Sequence, residues 1–154
     1  GIAIGPDNKM WFTETNVAKI GVLDPSNDTI AEFPVAAGSH PTSIVEGPDG
    51  AMWFTENIAG GAKLGRMTTQ HQYTEFALTG ANSATGLTMD LFGNLAIADP
   101  TNSAIGVFTV NSQTFKEYQT KTASAGPAWL AIGPDGKLYF TEFTADKIGQ
   151  FTYF

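Results

Sequence analysis

An all-β propeller of about four blades is the fold class this sequence predicts, and three observations predict it. A ten-residue block recurs four times, with its closing acid at positions 14, 56, 99 and 142, so the steps are 42, 43 and 43 residues. A second signature follows each block and a third closes the first three units, in a constant order. No segment carries a 3.6-residue apolar period, which removes the helical repeats of comparable length. A repeat of about 40–50 residues that reads as four short strands selects a propeller over a sandwich or barrel.

Each unit opens on a short apolar run: Ile2 to Ile4, Ser43 to Val45, Gly86 to Met89 and Trp129 to Ile132. Gly-Pro-Asp-Gly follows, as Gly47-Pro48-Asp49-Gly50 and Gly133-Pro134-Asp135-Gly136, and as Gly5-Pro6-Asp7-Asn8 in the first unit. Proline presets φ at the second turn position and glycine tolerates the fourth, so this is a tight turn. The next strand is aromatic and β-branched and ends in the acid: Trp11-Phe12-Thr13-Glu14, Trp53-Phe54-Thr55-Glu56 and Tyr139-Phe140-Thr141-Glu142. The third unit holds a worn copy, Asp90 to Asp99. A polar turn leads to Lys19-Ile20-Gly21, Lys63-Leu64-Gly65, Ala104-Ile105-Gly106 and Lys147-Ile148-Gly149. Glu32-Phe33, Glu75-Phe76 and Glu117-Tyr118 then mark an outermost strand in the first three units. The chain therefore reads as one domain with blades at 1–35, 41–78, 84–119 and 126–154, fifteen strands in all, the last blade being incomplete.

Composition narrows the partners. Net charge is −7, and the eight Lys and Arg are scattered singly. Nucleic acid needs a clustered basic face, so it is excluded as a partner, and so is an acidic membrane surface. No apolar run reaches the roughly 18 residues of a spanning helix. Without cysteine there is neither a disulfide nor a thiolate metal site. One sequon, Asn27-Asp28-Thr29, tips localisation towards secretion.

Most repeated residues read as scaffold. Trp11, Trp53 and Tyr139 share one position, which suits inter-blade packing first and ligand stacking second. Trp129 has no counterpart in the other units and is expected on an innermost strand facing the central channel, as a ligand-binding residue. His40, in a loop before Pro41, is a candidate ligand or base; His71, in the polar turn Gln70-His71-Gln72, is a weaker one. Glu14, Glu56, Asp99 and Glu142 recur at one strand end and would lie on one face of a ring. Of these, Glu56 and Glu142 are ligand-binding candidates.

The run Gly-Pro-Asp-Gly-x-x-Trp-Phe-Thr-Glu followed by Lys-Ile-Gly resembles the streptogramin B lyase (virginiamycin B lyase-like) family over all four units. The resemblance implies a propeller of seven blades that linearises a cyclic depsipeptide by elimination, with magnesium as the cofactor. In that chemistry a base removes a proton beside the ester, and a hard cation stabilises the developing enolate. In the family's catalytic units the acid pairs with a His fourteen residues upstream. Here those positions are Thr42, Thr85 and Ala128 for Glu56, Asp99 and Glu142. For Glu14 the position falls just before Gly1, so Glu14 is a catalytic candidate only if His precedes Gly1. Which residues would hold the metal is left unknown.

Three functions follow. The first is a propeller that binds a small molecule, peptide or glycan without a complete His–Glu pair. The second is a magnesium-dependent C–O lyase, and the third a non-enzymatic interaction or structural protein. The arc is expected to belong to a seven- or eight-bladed ring, closed by a second chain as a homo-oligomer or by the missing half of the same polypeptide.

Overall fold

The computed structural model describes residues 1–152, so the last two positions of the expected fourth blade lie outside the described residues. It is built from fifteen strands in four separate antiparallel sheets. Blade one holds β1 (Ile2–Ile4), β2 (Met10–Glu14), β3 (Lys19–Asp24) and β4 (Thr29–Pro34). Blade two holds β5 (His40–Glu46), β6 (Met52–Ile58), β7 (Gly61–Met67) and β8 (Tyr73–Ala77). Blade three holds β9 (Leu87–Met89), β10 (Asn94–Asp99), β11 (Ala104–Thr109) and β12 (Thr114–Gln119). Blade four holds β13 (Pro127–Ile132), β14 (Leu138–Glu142) and β15 (Lys147–Phe151). Each sheet is ordered as its strands occur in the chain, the meander of a propeller blade.

The innermost strands of blades two and four are longer than their apolar runs suggest. A bulge between Pro41 and Ile44, and another between Pro127 and Leu130, lets pairing resume at Pro41↔Glu56 and Pro127↔Glu142. The two residues in each bulge interrupt the alternation that marks a strand, which is why the extension is invisible to pattern.

The repeated residues have local reasons. Asp7 Oδ1 accepts the indole N–H of Trp11 at 2.9 Å, and Asp49 Oδ1 accepts that of Trp53 at 2.9 Å. The hydroxyl of Tyr139 donates to Asp135 at 2.9 Å in the same way. The turn aspartate thus shapes the turn and also anchors the aromatic residue. In the worn third unit the carboxylate moves to Asp90, where it accepts the backbone N–H groups of Phe92 and Asn94. The glycine of the Ile-Gly signature is there because the ring of Phe12, Phe54 or Phe140 lies over it. A Cβ at Gly65 would sit 2.1 Å from the Phe54 ring. In blade three Ile97 replaces that phenylalanine, and the ring over Gly106 comes instead from Phe115.

Blades pack by one rule, with one face of each pressed on the opposite face of the next. Trp11, Ile20 and Val22 meet Ile44, Met52, Phe54 and Met67 between blades one and two. Trp53 and Leu64 meet Leu95, Ile97 and Phe108 between blades two and three. Ala96 and Ile105 meet Leu138 and Phe140 between blades three and four. Burial of these side chains, about 1.5–3 kcal/mol each, is the main force holding the arc together. Ile20, Leu64 and Ile105 are fully buried, whereas their counterpart Ile148 is 70% exposed, since among the described residues no blade packs on that face of blade four. Ile2, Ile4 and Ile30 are likewise exposed on the outer face of blade one.

Candidate functional site

The four repeated acids occupy equivalent ends of β2, β6, β10 and β14, but their surroundings differ. Glu56 is fully buried, and the hydroxyl of Tyr73, from β8, lies 3.0 and 2.9 Å from its two carboxylate oxygens. Burial pushes its carboxyl above the usual range; the Tyr73 hydrogen bond opposes this, and the charge of Glu75 adds to it. Burial, and then the neighbouring Glu56, push the Tyr73 hydroxyl far above its ordinary value, so it stays a donor. Asp99 is also buried, and accepts the Asn82 N–H at 2.8 Å, the Ser83 hydroxyl at 2.7 Å and the Asn102 N–H at 3.0 Å. Glu142 is 4% exposed, and among the described residues its Oε2 has no hydrogen-bond partner. Glu14 alone of the four is only partly buried.

The positions fourteen residues upstream are occupied by groups that serve the backbone. Thr42 Oγ donates to the carbonyl of His40 at 3.1 Å. Thr85 Oγ donates to the carbonyl of Ala128, a contact between blades three and four. Ala128 offers only a methyl group. None of these side chains can act as a base near neutral pH.

Around Glu14 the ends of blades one and two converge. Thr13 Oγ donates to the Thr42 carbonyl at 2.9 Å, and Thr15 Oγ to that of Pro41 at 2.7 Å. His40 is exposed, and its Nδ1 lies 3.2 Å from the Thr15 carbonyl. The structure therefore brings His40 beside the strand end that carries Glu14. Lys19, raised above its ordinary value by its hydrogen bond to Glu32, adds positive charge on the neighbouring strand.

Trp129 is 63% exposed on β13, the innermost strand of blade four. It lines a shallow hollow of about 210 Å³ with Tyr139, Thr141 and Ile148, on the face of blade four that no other blade covers among the described residues. His71 is elsewhere: its ring stacks on Phe33 with centroids 3.6 Å apart and faces Trp11 at 5.8 Å. Burial lowers its pKa. It bridges blades one and two, a structural role that its polar turn does not announce.

Magnesium asks for several hard oxygen ligands around one point. Among the described residues no three His, Cys, Asp or Glu gather that closely. Glu56 and Asp99 already accept internal hydrogen bonds, so neither offers a free carboxylate to such an ion.

Sequence reading missed Tyr73, whose counterparts are Ile30 and Phe115, and the cradle formed by Asn82, Ser83 and Asn102. Both lie outside the repeated signatures.

The family model described as the virginiamycin B lyase family matches residues 1–153. Selenomethionine-substituted virginiamycin B lyase from Staphylococcus aureus superposes with a TM-score of 0.91 at 35% identity, over 99% of this chain and 52% of that one. A catalytically inactive histidine-to-alanine variant of virginiamycin B lyase from Staphylococcus aureus, solved with quinupristin, gives 0.90 at 35% identity, over 99% and 51%. A streptogramin B lyase structure gives 0.87 at 31% identity, over 97% and 49%. The chain thus spans about half the length of these relatives (52%, 51% and 49%). No curated protein matches it.

Proposed function

Because the chain belongs to the virginiamycin B lyase family, we propose that it is the ligand-binding arc of a lyase-like propeller and does not itself carry a complete catalytic pair. One observation carries this reading. In blades two, three and four the acids are buried in the scaffold, and the side chains upstream of them are Thr42, Thr85 and Ala128. A general base with a pKa near neutral is what the elimination needs, and none of these positions supplies one. The accessible polar groups lie instead at the strand ends around Glu14 and His40, with Trp129 as an exposed aromatic surface on blade four. A cyclic depsipeptide, whose backbone carries amide and ester groups, suits such polar contacts beside an apolar surface. The test is to titrate the 154-residue chain with quinupristin by calorimetry and to follow the antibiotic by chromatography. Heat of binding with no linear product is expected, and accumulation of linear product overturns the reading.

The alternative, a magnesium-dependent C–O lyase, is favoured by Glu14. It is the one repeated acid that is only partly buried, and His40 lies against the carbonyl of Thr15, the residue after it. On that reading Glu14→Gln abolishes linearisation while leaving the thermal transition in place.

A further inference from the structure

Blade two departs from its neighbours at one place. Four residues separate the acid from the third-strand signature in Glu14–Lys19, Asp99–Ala104 and Glu142–Lys147, but six separate Glu56 from Lys63. In blades one, three and four the second and third strands stop pairing at the acid, as Glu14↔Lys19, Asp99↔Ala104 and Glu142↔Lys147. In blade two pairing runs on through Asn57↔Ala62 and Ile58↔Gly61. Gly60 and Gly61 close that longer hairpin with φ of 101° and 134°, angles that favour glycine.

The extra length serves both sides of β6. On one side Asn57 pairs with His40, so β5 reaches one residue beyond Pro41↔Glu56, whereas in blade four the innermost strand stops at Pro127↔Glu142. On the other side the Asn57 side chain spans to blade three. Its Nδ2 donates to the Ala84 carbonyl at 2.7 Å, and its Oδ1 accepts the Ala84 N–H at 2.8 Å. Ala84 is fully buried, so these bonds satisfy two backbone groups that water does not reach. In the other blades the same position holds Thr15, which makes one bond, to the Pro41 carbonyl, and Pro100 and Phe143, whose side chains have no donor. His40 itself is exposed, with Nδ1 3.2 Å from the Thr15 carbonyl of blade one. A carbonyl only accepts, so in the neutral imidazole Nδ1 carries the proton and Nε2 the lone pair.

We propose that Asn57 is a positioning residue. By clamping the lengthened β6–β7 hairpin to blade three it holds His40 against blade one, in the tautomer that leaves Nε2 as an acceptor for an amide N–H of a bound depsipeptide. The ligand part of this rests on the reading that the strand ends around Glu14 and His40 form the binding face; the hold on His40 does not.

The tautomer is read in the 154-residue protein by proton–nitrogen correlation NMR at alkaline pH, where imidazoles are neutral. The chain has two histidines, so His40→Gln assigns the signals, and His71, stacked on Phe33, reports whether the fold is intact. The native protein shows His40 protonated at Nδ1. Asn57→Ala shifts His40 towards the Nε2–H form with His71 unchanged. Asn57→Asp, which still accepts the Ala84 N–H but has no donor for its carbonyl, shifts it in the same direction and keeps the test open should the alanine variant fail to fold. Quinupristin affinity, by calorimetry, falls by up to about tenfold in Asn57→Asp, and the same substitution adds no further loss in the His40→Gln background. A native His40 protonated at Nε2, a His40 signal indifferent to both Asn57 substitutions, or a His71 signal that moves with it in both variants overturns the proposal. The expected NMR result from a native protein that binds no quinupristin overturns the binding reading alone and supports the positioning role.

Discussion

Replacing Tyr73 with phenylalanine isolates the most buried acid of the fold. The ring stays stacked on Phe54, with centroids 6.1 Å apart in the native chain, so packing is conserved and only the hydroxyl is lost. That hydroxyl reaches both oxygens of Glu56 at 3.0 and 2.9 Å, and Glu56 has no exposed surface through which water could replace it. A hydrogen bond to a charged, buried group is worth about 1.5–3 kcal/mol. For a chain of this size, about 2 kcal/mol corresponds to a fall in Tm of about 4–8 °C. The loss also depends on pH. Burial raises the folded pKa of Glu56 above its ordinary 4.5. The folded state therefore binds the proton more tightly than the unfolded one, and the stability this gives is full below 4.5 and lost as pH rises through the raised folded value. The Tyr73 hydroxyl works against that loss by favouring the charged form. Tyr73→Phe therefore costs most at neutral pH, about 2 kcal/mol, and less than about 1 kcal/mol near pH 4, where Glu56 is protonated. Urea unfolding of both proteins at the two pH values measures the difference. A cost independent of pH, or none at neutral pH, refutes the reasoning, and Glu56→Gln should remove the pH dependence altogether.

Three other substitutions test the scaffold. Gly65→Ala places a Cβ 2.1 Å from the Phe54 ring and should cost about 1–3 kcal/mol in chemical denaturation, because that ring is locked between blades. Asp49→Asn weakens the bonds to Trp53 and Arg66; burial works to raise the Asp49 pKa, but those partners win and hold it low. The native chain should thus lose the Asp49 contribution as pH falls through its lowered folded value, and an acid titration of Asp49→Asn should lack that step. His71→Ala removes the ring stacked on Phe33 and should lower stability by about 0.5–1.5 kcal/mol, read as a smaller urea midpoint with an unchanged slope.

The blades were legible in the sequence because each repeated residue answers a local demand. Asp7, Asp49 and Asp135 shape a turn and hold an aromatic residue four positions on, and Gly21, Gly65 and Gly149 leave room for a phenylalanine ring. Such demands are met within one unit, so they recur at the period of the fold. The candidate site was less legible because it depends on contacts between units. Glu14, Glu56, Asp99 and Glu142 share one strand position, yet Tyr73 closes over one, Asn82, Ser83 and Asn102 over another, and nothing described over an oxygen of Glu142. Those partners come from positions with no period. His71 is the same case, since its stacking on Phe33 joins neighbouring blades through a residue found in one unit only.

Chromatography of quinupristin incubated with the 154-residue chain and magnesium tests the central claim most directly, with binding followed in the same samples by calorimetry. Saturable binding with the antibiotic recovered in its cyclic form is the predicted result, because blades two to four present buried acids without a neighbouring base. Conversion to the linear form at a rate proportional to protein concentration would contradict it and would move the chemistry to Glu14 and His40.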